Sequence, residues 1–202
     1  MSYKWKKALI CSVISLVFAG VMTRFLAERR ERGAQEQLAQ EVFRFHVIAN
    51  SNSEEDQALK MKVKEQVIAY MEQELPESQS ANETLEWAIS NINAIEEVAR
   101  ATLSEEGSFE RVSCSVANVY FPDKTYGDIT FPKGNYNALR IEIGEAQGEN
   151  WWCVLYPNLC FLDAVHAVVP EEGKEELRTV LDEDVYEMVT AFSEFRIRWF
   201  FF

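Results

Sequence analysis

The chain is short of positive charge and shorter still of histidine. Its 202 residues hold 20 lysines and arginines against 33 aspartates and glutamates, and two histidines. Residues 1–32 hold seven of the basic residues and two of the acidic ones, which leaves 13 against 31, net −18, for the remainder. A body so acidic does not draw in nucleic acid or anionic lipid by long-range attraction. No glycine-rich phosphate loop, no Gly-x-Ser-x-Gly elbow and no basic groove is present, and with them go the commonest signatures of nucleotide binding and serine hydrolysis. Internal repeats and low-complexity tracts are missing as well. A hydrophobic content of 48% nevertheless predicts a folded core rather than disorder. A chain of this size suits one domain.

What is present begins at the amino terminus. Lys4, Lys6 and Lys7 precede fifteen uncharged residues, Ala8 to Met22, and Arg24 closes the run. That is the pattern of an export signal, and it is short for a permanent span, which needs about 20 apolar residues. Val17-Phe18-Ala19 before Gly20 resembles a cleavage site, whereas continuation through Phe25-Leu26-Ala27 makes an uncleaved anchor. Both readings stay open. The expected organisation is a signal or anchor over 1–26, a charged helical spacer over 27–41 and a globular domain over 42–202. If the signal is retained, residues 8–26 contact the membrane.

Within the domain, Val42–Ala49 alternates as a strand, with Phe43, Phe45 and Val47 on one face and Arg44, His46 and Ile48 on the other. Asn50-Ser51-Asn52 is a turn, and Ser53 with Asp56 caps a helix striped by Leu59, Val63, Val67, Met71 and Leu75 before Pro76. Ser80 with Glu83 starts a second helix that runs to Gly107, with Leu85, Ala88, Ile89, Ile92, Ile95, Ala99 and Leu103 inward. Phe109–Phe121 then reads as strand, Pro122–Gly127 as turn, Ile129–Phe131 as a short strand and Pro132–Asn135 as another turn. Ala138–Gly144 and Trp151–Tyr156 read as two strands joined by a hairpin loop. A last helix follows Pro170, with Asp182-Glu183-Asp184 as a break, and Phe195–Phe202 reads as a final strand. Grouped helices and grouped strands predict an α+β fold: one domain, a mainly antiparallel sheet, helices packed on one face.

Four passages in order resemble the stage II sporulation protein R family: R-F-H-V-I-A-N-S-N-S-E-E-D-Q-A-L-K (Arg44–Lys60), F-P-D-K-T-Y-G (Phe121–Gly127), A-L-R-I-E-I-G (Ala138–Gly144) and N-W-W-C-V-L-Y-P-N-L-C-F-L-D (Asn150–Asp163). The resemblance covers about Val42–Val165, and the last block is the most specific. It implies a protein made in the forespore and exported across the cytoplasmic (forespore) membrane to the space between two sporulating compartments. There it activates a membrane-embedded aspartic protease, which removes the pro-segment of a sigma factor. It implies a trigger and not an enzyme, with no cofactor.

The cysteines admit several states. Export favours an oxidised Cys153–Cys160 pair closing a loop around Pro157; a pairing through Cys114 and fully free thiols are the alternatives, since connectivity is not readable from sequence. Metal binding by Cys153, Cys160 and His166 fits no common zinc spacing. A hydrolase built on Cys153 with His166 and Asp163 lacks a positive setting for a thiolate, and a passive structural role in the envelope is a third class. For partner contact the expected residues are Trp151, Trp152 and Tyr156, as interface anchors, with Arg44, His46, Asn50, Asp56 and Gln57 at the strand-to-helix turn. Alternation places Trp151, Cys153 and Leu155 on one face and Trp152, Val154 and Tyr156 on the other. Burial of both sets, and turn and cap chemistry for the polar cluster, are the structural alternatives.

Overall fold

A computed structural model describes residues 3–76, 80–157, 169 and 171–190. Residues up to Glu36 form one unit, and those from Gln37 onward form the other. The first unit lies within helix α1 (Tyr3–Glu41). Its apolar side chains from Ile10 to Leu26 are exposed, and the helix is long and apolar enough to cross a membrane. An export signal and an anchor share that description. The last turn of α1 belongs to the globular unit, where Leu38 is fully buried.

The globular unit is α+β. Strand β1 (Phe43–Ile48) is followed by helices α2 (Glu54–Glu74), α3 (Ala81–Ser90) and α4 (Ile92–Glu105). Strands β2 (Val112–Phe121), β3 (Lys124–Tyr126), β4 (Ile129–Phe131), β5 (Gly134–Ile143) and β6 (Asn150–Tyr156) come next, then helix α5 (Glu171–Val180). A further helical stretch covers 183–190 after the break at the acidic triplet. The main sheet has the order β2-β5-β1-β6, and β3 with β4 makes a separate two-stranded ribbon. Two of the three main pairings are antiparallel; β1 and β5 run parallel. The apolar face of β1 (Phe43, Phe45, Val47) packs on Val63, Val67 and Met71 of α2, Ala88 of α3 and Ile95, Ala99 and Leu103 of α4, joined by Leu139, Ile141 and Leu155.

The caps form as the local sequence dictates. Ser53 Oγ accepts from the Asp56 amide at 3.1 Å and Ser80 Oγ from the Glu83 amide at 3.2 Å, each satisfying an otherwise unpaired first-turn donor. Four expectations need correction. The helix read as continuous from Ser80 to Gly107 breaks at Asn91, whose side-chain amide donates to the Trp87 carbonyl at 2.9 Å. Asparagine competes with the helical ladder in this way, and the change of phase leaves Ile89 half exposed. The turn Pro122–Gly127 contains strand β3: Gly127, at φ +57°, and Asp128 form a two-residue hairpin connection between Tyr126 and Ile129. Such a tight loop favours a positive φ. Gly134 and Asn135, read as turn, already belong to β5. Finally, β5 and β6 are not hairpin partners, because β1 lies between them. The expected strand at Phe195–Phe202 and the start of the last helix at Pro170 lie outside the described residues.

Candidate partner-binding site

β1 is central, so all six of its residues are buried, the polar ones included. On the face away from the helices Arg44 is fully buried. Its guanidinium carbon lies 4.2 Å from the centroid of Phe121, 5.0 Å from Tyr136, 5.3 Å from Phe131 and 5.9 Å from Tyr126. Nη2 donates to the Tyr126 hydroxyl at 2.9 Å, while Nε and Nη1 have no hydrogen-bond partner among the described residues. Burial raises the Tyr126 phenol above its ordinary pKa, against the pull of Arg44. An aromatic cage of this kind stabilises a cation through the negative faces of its rings. Among the described residues it stands where a buried arginine ordinarily has a carboxylate. Two of the four rings come from the β3–β4 ribbon, which therefore covers this part of the sheet.

His46 sits two residues along the same face, beside Arg140 of β5 and Trp152 of β6. Its ring stacks on Trp152 with centroids 5.0 Å apart and an interplanar angle of 13°, and it meets Phe121 at 5.3 Å. Neither ring nitrogen has a hydrogen-bond partner among the described residues. Burial, then the charges of Arg140 and Arg44, push its pKa down to about 4, so it is neutral at neutral pH. Arg140 pairs with Glu142 on its own strand.

Trp151 and Trp152 straddle β6. Trp151 lies on the helix face, edge-on to Phe45 at 5.8 Å, with Lys64 of α2 over its ring at 5.2 Å. Trp152 lies on the ribbon face, between His46 and Phe121, with Lys124 of β3 at 5.5 Å. Both are half-buried. Tyr156 departs from the expected alternation. The β1–β6 register shifts between Phe43 and Arg44, so Tyr156 pairs with Phe43 while Arg44 pairs with Val154. The extra residue, Leu155, is the bulge that turns Tyr156 toward the helix-side core.

Cys153 is buried and disulfide-bonded; Cys11 and Cys114 are free thiols. Cys160, expected as its partner, lies outside the described residues, as do His166 and Asp163. A disulfide sulfur carries no thiolate, so Cys153 in this state is not a nucleophile. Burial pushes the Cys114 thiol up to about 12, so it stays protonated at neutral pH. Among the described residues no group of three or more His, Cys, Asp or Glu side chains is arranged to hold a metal.

The remaining polar candidates form a separate cluster at the end of β1. Because β5 and β6 flank β1, residues 144–149 must cross over its end, and the turn clamps them there. Asn50 Oδ1 accepts from the Glu145 amide at 2.9 Å and Asn52 Oδ1 from the Glu149 amide at 2.7 Å. The Gln147 and Gly148 amides donate to the Asn50 and Ala49 carbonyls. Asp56 fixes the clamp by accepting from Asn50 Nδ2 at 3.1 Å and Ser51 Oγ at 2.5 Å; these bonds, the serine's foremost, hold its carboxyl below the usual range. Gln57 donates to the Ser51 carbonyl at 2.9 Å, and Lys60 bridges Gln57 and the Glu149 carbonyl. A Cβ at Gly144, whose φ is +59°, would lie 2.2 Å from Asn50 Oδ1.

The expected residues thus divide. Arg44, His46 and Trp152 come together on the ribbon face; Asn50, Asp56 and Gln57 are engaged in the clamp; Trp151 and Tyr156 lie toward the helices. The cage residues Phe121, Tyr126, Phe131 and Tyr136 were not anticipated. For Tyr126 and Phe131 the visible signal is the mixed apolar and polar run T-Y-G-D-I-T-F; Phe121 and Tyr136 have none.

Residues 39–166 match the pattern of the family described as stage II sporulation protein R. The chain is also similar to the curated stage II sporulation protein R of Bacillus subtilis (strain 168), with 32% identity over 94% of this chain and 86% of that protein. No solved structure matches.

Proposed function

Since this chain belongs to the stage II sporulation protein R family, and so has a role in sporulation, we propose that it is the exported signal that switches on a membrane-embedded aspartic protease by direct contact. The protease then processes a pro-sigma factor. The match over residues 39–166 carries this reading. Two features support delivery across the cytoplasmic membrane of the forespore. Helix α1 has the length and composition of a signal or anchor, and the disulfide at Cys153 suits the oxidising side of a membrane. Contact falls to the half-buried Trp152 on the ribbon face, which the buried His46 backs, and to Trp151 on the opposite face of β6. Half-buried tryptophans beside cations are favoured anchors.

The test is reconstitution in a non-sporulating host. The chain, with and without residues 1–26, is co-expressed with the candidate protease and its sigma substrate. Processing should require the chain and its leader, and should be lost in Trp152→Ala with the fold retained. Processing that proceeds without the chain, or equally well with a leaderless cytosolic form, would overturn the proposal.

A further inference from the structure

Lys60 is a member of the clamp whose presence stability alone does not explain. It lies on α2 and is 6% exposed. Its Nζ donates to Gln57 Oε1 at 2.5 Å and to the Glu149 carbonyl at 3.1 Å. Both acceptors are neutral, and among the described residues no carboxylate pairs with it. The charge of the exposed Glu149 favours the ammonium, but burial outweighs it and lowers the Lys60 pKa. A buried cation without an acid costs free energy that two neutral acceptors offset only in part. Neutral bonds already hold the crossing at both ends: Asn50 and Asn52 accept from the Glu145 and Glu149 amides, and the Gln147 and Gly148 amides donate to the end of β1.

What the ammonium adds is a second hold on a single residue. Asn52 Oδ1 takes the amide of Glu149 and Lys60 takes its carbonyl, so Glu149 is fixed on both sides. It is the last residue before β6, and Asn150, Trp151 and Trp152 follow it directly. Lys64, one turn further along the same face of α2, lies over the Trp151 ring at 5.2 Å. The helix face that grips Glu149 therefore continues onto the first tryptophan. Facing in a strand depends on register alone, because a slip of one residue turns every side chain to the other side of the sheet. The β1–β6 ladder does shift by one residue at its far end, between Phe43 and Arg44. The end at Glu149 is where the facing of Trp151 and Trp152 is set.

We propose that Lys60 is a positioning residue for the partner contact: by pinning Glu149 it fixes the register of β6, and with it the face on which each tryptophan is presented. Lys60 itself is buried and acts only through the strand. This inference rests on the reading that Trp151 and Trp152 meet the protease.

Lys60→Met keeps the apolar stem and removes the ammonium. For the full chain in non-ionic detergent, its urea midpoint should equal or exceed that of the unsubstituted chain, because a buried charge is lost. Amide hydrogen exchange over residues 149–152 should nevertheless quicken about tenfold, the scale of one lost charge-assisted bond, with the rest of the domain unchanged. In the reconstituted host, processing should fall about tenfold as well. Asn52→Ala, which frees the amide side of Glu149, should show the same pair of effects and decides the matter if Lys60→Met does not fold. Quickened exchange with full processing would overturn the proposal. So would lost processing with exchange unchanged, which would put Lys60 in contact with the partner, and so would exchange that quickens evenly across the domain, which would make it a structural residue. Should the unsubstituted chain elicit no processing, the protease reading fails, while the exchange measurement still upholds or refutes the pin on β6.

Discussion

The clamp at the end of β1 makes a sharp prediction. Gly144→Ala forces an L residue into left-handed backbone, which costs about 1–2 kcal/mol. It also sets a methyl 2.2 Å from Asn50 Oδ1, 2.6 Å from Cγ and 2.8 Å from Cβ, an overpacking worth about 1–3 kcal/mol. The sum is about 2–5 kcal/mol. Asn50→Ala strips the Glu145 amide of its acceptor and Asp56 of a donor, a loss of about 1–2 kcal/mol at a partly exposed site. In the double variant Oδ1 and Cγ are gone, and only Cβ remains close. The two effects should therefore fall short of additivity by about 1–2 kcal/mol. The assay is urea unfolding followed by tryptophan fluorescence, where a slope of about 2 kcal/mol per molar turns these losses into readable midpoint shifts. Additivity within about 0.5 kcal/mol would refute the clamp. Asn50→Ala with unchanged stability and lost protease activation would assign Asn50 to the partner instead.

Three further outcomes follow from the ribbon face and the disulfide. His46 has a pKa of about 4 when folded against 6.5 ordinarily. Its contribution, about 3 kcal/mol, is complete above pH 6.5 and lost as pH falls toward 4. His46→Phe should flatten that segment of the stability–pH curve, and an unchanged curve would show that His46 is not the titrating group. Arg44→Met removes two unpaired buried donors along with the charge, so unfolding should register a change within about 2 kcal/mol of zero, in either direction. A loss above about 4 kcal/mol would mean that the cage holds the arginine far more strongly than argued. Cys153→Ser should lower the unfolding free energy by about 2–3 kcal/mol. Cys160→Ser and reductant should match it if Cys160 is the partner, and disagreement between the two serine variants would exclude that pairing.

Much of the fold was legible because it is local. Ser53 and Ser80 announce their helices through side chains that reach only three residues ahead. The face alternation of β1 survives because its period is fixed by the pleat. The site was less legible. Arg44 and His46 stand out as polar residues in a buried strand, but no rule of spacing names the rings that enclose Arg44. Those rings come from β2, β3, β4 and β5. Strand β3 was hidden inside P-D-K-T-Y-G, whose turn chemistry is real but confined to its ends. Tyr156 was misplaced because one bulged residue at Leu155 inverts the alternation beyond it.

The sequence by itself determined the apolar amino-terminal helix, the acidic globular body, the helix starts and the inward face of β1, each written in neighbouring residues. The tertiary structure alone decided that β1 inserts between β5 and β6. A strand chooses its neighbours by long-range packing and backbone pairing, and contiguous sequence carries no direct record of that choice. That insertion turns an apparent hairpin loop into a crossing. The Asn50–Asp56 turn becomes the clamp that holds it, and Arg44 is left in the middle of the sheet among four aromatic rings.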